Sequence, residues 1–297
     1  MSSNNVIEVR DLEHYYGKNK VLHGLSFDVK EGSIFGLLGK NGAGKTTTIN
    51  IMMGFLRPDK GQCSILGEPA HALSKVAKRK IGLLHEGHLS YEFFSIEETE
   101  DFYSGFYPNW DRNIFSEMMS KLKLKKSHKV KNMSCGQRSQ VALAVLMAQG
   151  ADMLILDDFS MGLDAGYRRL FLDKLTHYSK QLKKTVLITS HIVQDLERFV
   201  DDALIIDKGR VLKSTSVSSL KDGLHKYYFE TENLAENFEE SDFIMDFSIL
   251  SNGYEVVTSK DFASAKNEIE TLSGSVKNFS ESELSLEDSF IALTGRY

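Results

Sequence analysis

The sequence predicts an α/β fold in which a mostly parallel sheet flanked by helices follows an N-terminal antiparallel β subdomain. Three features predict it. Over residues 33–207, short apolar runs suited to buried strands alternate with helical patterns. Near the N-terminus, the alternation of Leu25, Phe27 and Val29 with polar residues indicates a half-buried antiparallel strand. After Ser214 the pattern changes, which indicates a second, smaller domain.

Composition limits the classes of protein that the chain can belong to. Its 297 residues, 41% hydrophobic and 26% charged, are typical of a globular protein. The net charge of -5 provides no broad electrostatic footprint for nucleic acid, so no nucleic-acid partner is expected. The longest apolar run, Val141 to Ala148, is far shorter than the roughly 18 residues that a membrane span needs. The N-terminus lacks the regions of a signal peptide, and Cys63 and Cys135 are too few for a disulfide framework, so we expect a reducing compartment.

The strongest motif is a glycine-rich loop. An apolar run, Ile34 to Leu38, predicts a buried strand that ends in a G-x-x-x-x-G-K-T turn, Gly39 to Thr46, and Thr47 to Phe55 has a helical pattern. In this context the backbone N–H groups and the helix N-terminus surround an anion. Lys45 would contact the β- and γ-phosphates, and the Thr46 hydroxyl would hold Mg²⁺. The sequence therefore predicts a site for a nucleoside triphosphate. The candidate binding residues of the loop are Gly39, Asn41, Gly42, Ala43, Gly44, Lys45, Thr46 and Thr47.

Two carboxylates follow a later apolar strand, Met153 to Leu156. In P-loop ATPases an acid at a strand tip holds Mg²⁺, which predicts this role for Asp157. Asp158 is placed to act on the attacking water. Two purely structural carboxylates at one strand end would repel each other, which favours the functional interpretation.

Another helix and two more strands are predicted. Ser134 is a natural N-cap for a helical stretch that extends to Gln149. A serine and a glycine N–H group at a helix start provide a second anion site. Strands are predicted at Thr185 to Thr189, closely followed by His191, and at Ala203 to Ile206.

Residues 91–115 are rich in aromatic side chains. Phe102, Phe106 and Trp110 recur at helical spacing, which predicts a packed helical core. The same residues are equally suited to a hydrophobic groove for the helix of a partner.

Two charged or metal-ligating stretches have simpler interpretations. The lysine-rich run from Lys121 to Lys131 is typical of a solvated face. His85 and His88 are separated by two residues rather than three, so they do not form the zinc pair of an H-E-x-x-H motif.

The patterns predict one large domain over residues 1–215 and a small α+β accessory domain over residues 216–297. The second domain has no chemical motif. Its predicted elements are strands at Lys226 to Phe229, Phe243 to Leu250 and Tyr254 to Val257, and a helix at Phe262 to Leu272.

Over about residues 5–215, the motifs resemble those of the ATP-binding subunits of ABC transporters, in the same order and at the same spacing. Gly39 to Thr46 matches Walker A, and Leu154 to Asp157 matches Walker B. Ser134 to Gln137 matches the signature, Gly162 to Asp164 the D-loop, and His191 the switch histidine. The signature and the switch histidine separate this family from kinases and GTPases. The resemblance implies the ABC cassette form of the P-loop NTPase fold, with a helical subdomain over about residues 87–150.

The resemblance also implies roles within one cassette. By itself, Tyr16 is more commonly a core aromatic than a base-stacking one, but it falls on the aromatic that stacks on adenine in this family. Asp158 would polarise the attacking water, and His191 would contact the γ-phosphate. Glu86 falls on the Q-loop position, where it would sense the γ-phosphate and take part in holding Mg²⁺ or water.

Further roles follow for a pair of cassettes. In the family, the signature caps the nucleotide of a second cassette, so two cassettes close head to tail over two ATP molecules. This implies that Ser134, Gly136 and Gln137, with Asp164 of the D-loop, contact the ATP of a partner cassette, identical or not. Closure is stronger with ATP than with ADP, because the donors of the signature need the γ-phosphate.

The sequence departs from the family at several motif positions. Lys40 replaces the usual proline of Walker A, a surface change. Glu86 replaces the Q-loop glutamine, as in transporters of lantibiotic immunity. Cys135 replaces the first glycine of the signature. Asp158 replaces the glutamate after Walker B, and Phe159 the proline that follows it, which leaves the rate of hydrolysis in question.

The expected function is ATP hydrolysis that drives a separate integral membrane subunit, with the chain at the cytoplasmic face of the membrane. Phe106 to Asp111 and the closing segment Ser285 to Leu293 resemble ABC-2-type exporters of the antimicrobial-peptide immunity and amphipathic-peptide export subgroup, which implies export of a peptide, toxin or antibiotic. Two alternatives stay open. One is a non-transport ABC ATPase, against which the single Walker A motif argues. The other is a regulatory cassette with very slow hydrolysis.

Overall fold

The computed structural model describes residues 4–85, 91–160, 162–190, 193–235 and 238–295. The chain forms two compact units. The first comprises Met1–Ile192 and Arg198–Ser214, and the second comprises Val193–Glu197 and Thr215–Tyr297.

The first unit contains two sheets and the helices that connect their strands. Its strands in chain order are β1 (Asn5–Tyr16), β2 (Asn19–Lys30), β3 (Ile34–Leu38), β4 (Lys60–Ile65), β5 (Glu68–Pro69), β6 (Ile81–Leu84), β7 (Met153–Leu156), β8 (Thr185–Thr189), β9 (Asp202–Asp207) and β10 (Arg210–Ser216). Its helices are α1 (Lys45–Met52), α2 (Lys75–Arg79), α3 (Ile96–Ser104), α4 (Arg112–Ser120), α5 (Cys135–Ala148) and α6 (Ala165–Leu182).

The larger sheet has the strand order β10-β9-β3-β8-β7-β6 within the described residues. Strands β9, β3, β8, β7 and β6 pair in parallel. All side chains of β3, β7 and β8 are buried, as expected for strands covered on both faces. Because the carboxyl ends of parallel neighbours meet at one edge, the residues that follow β3, β7 and β8 come together there.

The smaller sheet is antiparallel, in the order β2-β1-β4-β5. Its inward side chains, such as Ile7 and Val9, share one hydrophobic core with Leu37, Ile155 and Leu204 of the parallel sheet. The predicted fold class, a mostly parallel sheet with an N-terminal antiparallel subdomain, is confirmed.

The start of α5 confirms the predicted N-cap. The Ser134 hydroxyl accepts a hydrogen bond from the Gln137 backbone N–H at 3.2 Å, and the Gln137 side-chain oxygen accepts one from the Ser134 N–H at 3.0 Å. This reciprocal capping box satisfies two N–H groups that the helix start leaves without intrahelical partners.

The predicted helical spacing of Phe102, Phe106 and Trp110 is wrong. Helix α3 ends at Ser104, and α4 begins at Arg112 with Asp111 as its N-cap. Gly105 and Pro108 favour the end of a helix at this point, since neither continues a helix well.

The aromatic side chains of this segment nevertheless meet. The Phe102 ring lies 5.1 Å from Tyr91, 5.0 Å from Phe94 and 5.0 Å from Phe106 between ring centres. Phe93 and Phe106 are 63% and 60% exposed. We call these five residues the aromatic cluster. Tyr91, Phe93 and Phe106 are exposed and Phe94 and Phe102 are half-buried, which differs from the predicted packed helical core.

The second unit is an antiparallel sheet with helices. Its strand order is β12-β13-β11-β14 within the described residues. The strands are β11 (His225–Glu230), β12 (Asp246–Leu250), β13 (Gly253–Thr258) and β14 (Lys277–Ser282). The helices are α7 (Val193–Leu196), α8 (Val217–Leu220), α9 (Phe262–Ser273) and α10 (Leu286–Thr294).

The core of this unit lies between the sheet and α9, with Tyr227, Phe229, Val256 and Ile269 fully buried. The strand predicted from Phe243 begins instead at Asp246, after a turn. Strand β14 was not predicted, because its polar, exposed residues have no apolar pattern. Among the described residues, no helix combines the length and the apolarity that crossing a membrane requires.

Candidate nucleotide-binding site

The glycine-rich loop joins the end of β3 to α1, as the motif predicts. Gly44, the residue before α1, has a φ of 104°, and a Cβ built on it would lie 2.6 Å from a methyl group of Leu22. Only glycine adopts this backbone and fits this space without strain. Because the glycines of the loop have no side chains that could cover its backbone N–H groups, the loop is suited to binding phosphate.

A pocket of about 520 Å³ opens beside this loop and reaches the carboxylates that follow β7. It therefore brings together the two strongest motifs of the sequence. Its lining residues are Val21, Asn41, Gly42, Gly44, Lys45, Thr46, Thr47, Asp157 and Asp158.

Three residues differ from the predicted lining. Gly39 and Ala43 do not line the pocket, although Ala43 is buried in the core behind the loop. Val21, on β2, was not predicted, because an apolar strand residue has no signal that separates a lining position from a core position.

Lys45 places its ammonium group across the loop. Its Nζ donates to the backbone oxygens of Gly39 at 2.6 Å and Lys40 at 3.0 Å. These two carbonyls hold the cation within the pocket. It is the only cationic side chain among the described lining residues.

Asp157 is 2% exposed, and its two carboxylate oxygens differ in their hydrogen bonding. Oδ1 accepts a hydrogen bond from the Thr189 hydroxyl at 2.9 Å. Oδ2 is buried and has no hydrogen-bond partner among the described residues. A buried carboxylate oxygen without a partner is unfavourable unless a cation binds it. The Thr46 hydroxyl lines the same pocket, and oxygen ligands of this kind fit Mg²⁺.

Asp158 is held in an unusual backbone conformation, with a φ of 45°. Its N–H donates to the Thr189 hydroxyl at 2.9 Å, and its Oδ1 accepts from the Ser160 hydroxyl at 2.9 Å. The next residue, Phe159, is fully buried, and its ring lies 5.6 Å from the Phe171 ring. Strained residues that the surroundings hold in place are typical of functional sites. Thr189 and Ser160 were not predicted as site residues.

Tyr16 lies at the end of β1 and is 50% exposed, so it is not a core residue. Its ring packs edge-on against the His14 ring at 4.9 Å between centres. An exposed ring supported on one side is suited to stacking with a base.

The signature and the D-loop meet in a second cluster, apart from the lining residues of the pocket. A Cβ built on Gly136 would lie 2.4 Å from the Gly162 carbonyl oxygen, so Gly136 allows the two segments to touch. Cys135 is exposed beside them. Asp164 caps α6 through the Tyr167 N–H at 2.8 Å. We call these segments the signature–D-loop cluster.

Two predicted catalytic residues, Glu86 and His191, lie outside the described residues, so their roles stay predictions. Among the described residues, no group of three or more His, Cys, Asp or Glu side chains forms a separate metal site.

A glycine-rich loop and a buried carboxylate at the carboxyl edge of a parallel sheet define a P-loop nucleotide-binding protein. Comparisons with known proteins agree. The profile of the family described as ABC transporter matches residues 22–160. The Nod factor export ATP-binding protein I of Burkholderia orbicola (strain AU 1054) is 35% identical over 209 residues, which cover 69% of this chain and 68% of that protein. The chain belongs to the ATP-binding subunits of ABC transporters and is an ATPase.

One relative matches almost the whole chain. The bacitracin transport ATP-binding protein BcrA of Bacillus licheniformis is 31% identical over 300 residues, which cover 98% of this chain and 97% of that protein. Among solved structures, an ATP-binding subunit of an ABC transporter has a TM-score of 0.65 at 25% identity, covering 73% of this chain and 92% of that one. A dimeric cassette in a post-hydrolysis state with ADP and Pi has a similar fold, with a TM-score of 0.62 at 20% identity, over 71% of this chain and 98% of that one.

Proposed function

We propose that the chain hydrolyses ATP to drive export by a separate integral membrane subunit, and that the exported molecule is a peptide, toxin or antibiotic. The observation that carries the proposal is the pocket in which Lys45 and Thr46 face Asp157 and Asp158. The full-length similarity to a bacitracin transport protein supports the class of exported molecule. A non-transport ABC ATPase is not favoured, because the relatives are named as subunits of export or transport systems.

Each residue of the pocket has a chemical role in this proposal. The loop N–H groups and Lys45 bind the β- and γ-phosphates and stabilise the charge that develops during phosphoryl transfer. Thr46 and Asp157 would hold Mg²⁺, which would neutralise phosphate charge, and Glu86 would complete this group. Asp158 polarises the attacking water, and His191 contacts the γ-phosphate. Tyr16 stacks on adenine.

A second cassette, identical or not, completes the site. We place the signature–D-loop cluster of one cassette over the ATP of the other, head to tail. The Ser134 hydroxyl and the N–H groups at the start of α5 would act as donors there, which fits the exposure of Ser134. Closure then depends on the γ-phosphate, so the ATP and ADP states differ in the strength of cassette pairing. The paired cassettes would act at the cytoplasmic face of the membrane.

Co-purification tests the assignment to a transporter. A tagged chain is expected to retain one integral membrane protein from detergent-solubilised membranes, and the complex is expected to hydrolyse ATP faster in the presence of the exported molecule. Bacitracin is the first candidate to add. ATPase activity of the chain with no membrane protein retained under several detergents would instead support the non-transport alternative.

The aromatic cluster gives a further prediction. Phe93→Asp and Phe106→Asp are expected to weaken retention of the membrane subunit while ATPase activity of the isolated chain persists, because both side chains are exposed. Val76→Asp is a matched control, since Val76 is 66% exposed on α2 outside the cluster. A large fall in melting temperature of the cluster variants alone would indicate that these residues stabilise the fold instead.

A further inference from the structure

We propose that Thr189 is a positioning residue for hydrolysis, whose single hydroxyl group orients both carboxylates that follow β7. The inference rests on the proposed roles of Asp157 and Asp158. It adds a residue of β8 to the site, beside the loop after β3 and the carboxylates after β7.

Thr189 is the last residue of β8 and is completely buried. Strands β7 and β8 are in register from Met153 opposite Thr185 to Leu156 opposite Ile188, so Thr189 lies beside Asp157 at the carboxyl edge. A threonine hydroxyl offers one donor and two acceptor positions. At Thr189 the donor is used by Asp157 Oδ1 at 2.9 Å, and an acceptor is used by the Asp158 N–H at 2.9 Å.

The bond to Asp157 orients that carboxylate. Because the hydroxyl donates to Oδ1, the buried Oδ2 is the oxygen left for a cation in the pocket. Without the hydroxyl, Oδ1 would also lack a partner among the residues that the structure describes, and the carboxylate could rotate. The orientation of the proposed Mg²⁺ ligand therefore depends on Thr189.

The bond to Asp158 acts on the backbone. It anchors the N–H of a residue whose φ of 45° lies in the left-handed region, which non-glycine residues adopt uncommonly, although aspartate does so more often than most. The direction in which the Asp158 carboxylate leaves the chain follows from this conformation. A misplacement of about 1 Å costs on the order of a hundredfold in rate. Both effects predict that the Thr189 hydroxyl is needed for turnover and for the contribution of Mg²⁺ to ATP binding, and not for the binding of ATP without Mg²⁺.

The test compares two threonines of the same strand. Thr189→Val keeps the shape and removes the hydroxyl. Thr185→Val is the matched control, because Thr185 is also buried and its hydroxyl accepts one bond, from the Gly32 N–H at 3.0 Å, at the opposite end of β8. We expect Thr189→Val to lower kcat by about tenfold or more and Thr189→Ser to restore kcat. Thr185→Val is expected to leave kcat unchanged.

A binding measurement provides a readout other than activity. Affinity for a fluorescent ATP analogue is measured with EDTA and with Mg²⁺. We expect Thr189→Val to match wild type in EDTA and to gain less affinity than wild type when Mg²⁺ is added. An equal gain, together with a kcat equal to that of Thr185→Val, would overturn the proposal.

Two further comparisons complete the experiment. If Thr189→Val does not fold, Thr189→Cys replaces it, since a thiol is a weak donor of similar size; wild-type kcat in Thr189→Cys would also overturn the proposal. Asp157→Asn and Asp158→Asn separate the proposed function of the carboxylates from the proposed role of Thr189. If they leave turnover unchanged, the proposed function of the carboxylates fails. If they impair it and Thr189→Val does not, only the role of Thr189 is excluded.

Discussion

Lys45→Ala is expected to lower ATP hydrolysis by at least about a hundredfold and to weaken ATP binding. Lys45 is the only cationic side chain among the described residues that line the pocket, and two backbone oxygens hold its ammonium group there. The variant removes a preorganised charge that water replaces poorly, since water must reorient as phosphate charge develops. The measurements are phosphate release at saturating ATP and equilibrium binding of an ATP analogue.

The matched control for this prediction is Lys40→Ala. Lys40 belongs to the same loop and carries the same charge, but its side chain does not line the pocket. We expect its turnover to be near wild type. Melting temperatures of both variants should be close to wild type, because neither side chain belongs to the core. Unchanged turnover of Lys45→Ala at saturating ATP would contradict the assignment of the loop as the phosphate site.

Asp158→Asn is expected to reduce single-turnover hydrolysis and to accumulate a closed, ATP-bound pair of cassettes. The amide keeps the shape of the side chain but cannot act as a base. Wild-type hydrolysis is itself expected to be slow. Aspartate is one methylene shorter than the glutamate of the family, so its carboxylate stops about 1 Å short, which costs on the order of a hundredfold. Asp158→Glu is expected to keep or raise the rate.

The structure sharpens this prediction. The Ser160 hydroxyl donates to Asp158 Oδ1, and the backbone has a φ of 45°, so the short side chain is held in one position. Asp152→Asn is a suitable control, because it removes a carboxylate at the opposite end of β7, where Asp152 pairs with Lys184 at 2.5 Å. Hydrolysis is followed by single turnover, and pairing by size-exclusion chromatography with ATP. Equal rates for wild type, Asp158→Asn and Asp158→Glu would mean that Asp158 is not the catalytic carboxylate.

Local pattern was sufficient to predict strands β3, β7, β8 and β9 of the larger sheet. Strands β3 and β8 have the predicted bounds, because a fully buried strand is a continuous apolar run. The aromatic segment was predicted less well. Its apolar spacing suggested one helix, but Gly105 and Asp111 end one helix and begin another. In such a segment the turn and cap residues outweigh the periodicity.

The sequence by itself determined the fold class, the phosphate loop, the carboxylates after β7 and the membership in the ABC family, because each is specified by short motifs or patterns that can be identified locally along the chain. Only the tertiary structure decided how the carboxylates are held. Thr189 contacts Asp157 and Asp158 across 32 and 31 positions of the chain. These contacts exist because β7 and β8 are neighbours in the sheet, and no local pattern specifies which strands are adjacent. The left-handed backbone of Asp158, and the oxygen of Asp157 that has no hydrogen-bond partner among the described residues, likewise depend on packing between segments that are distant in sequence.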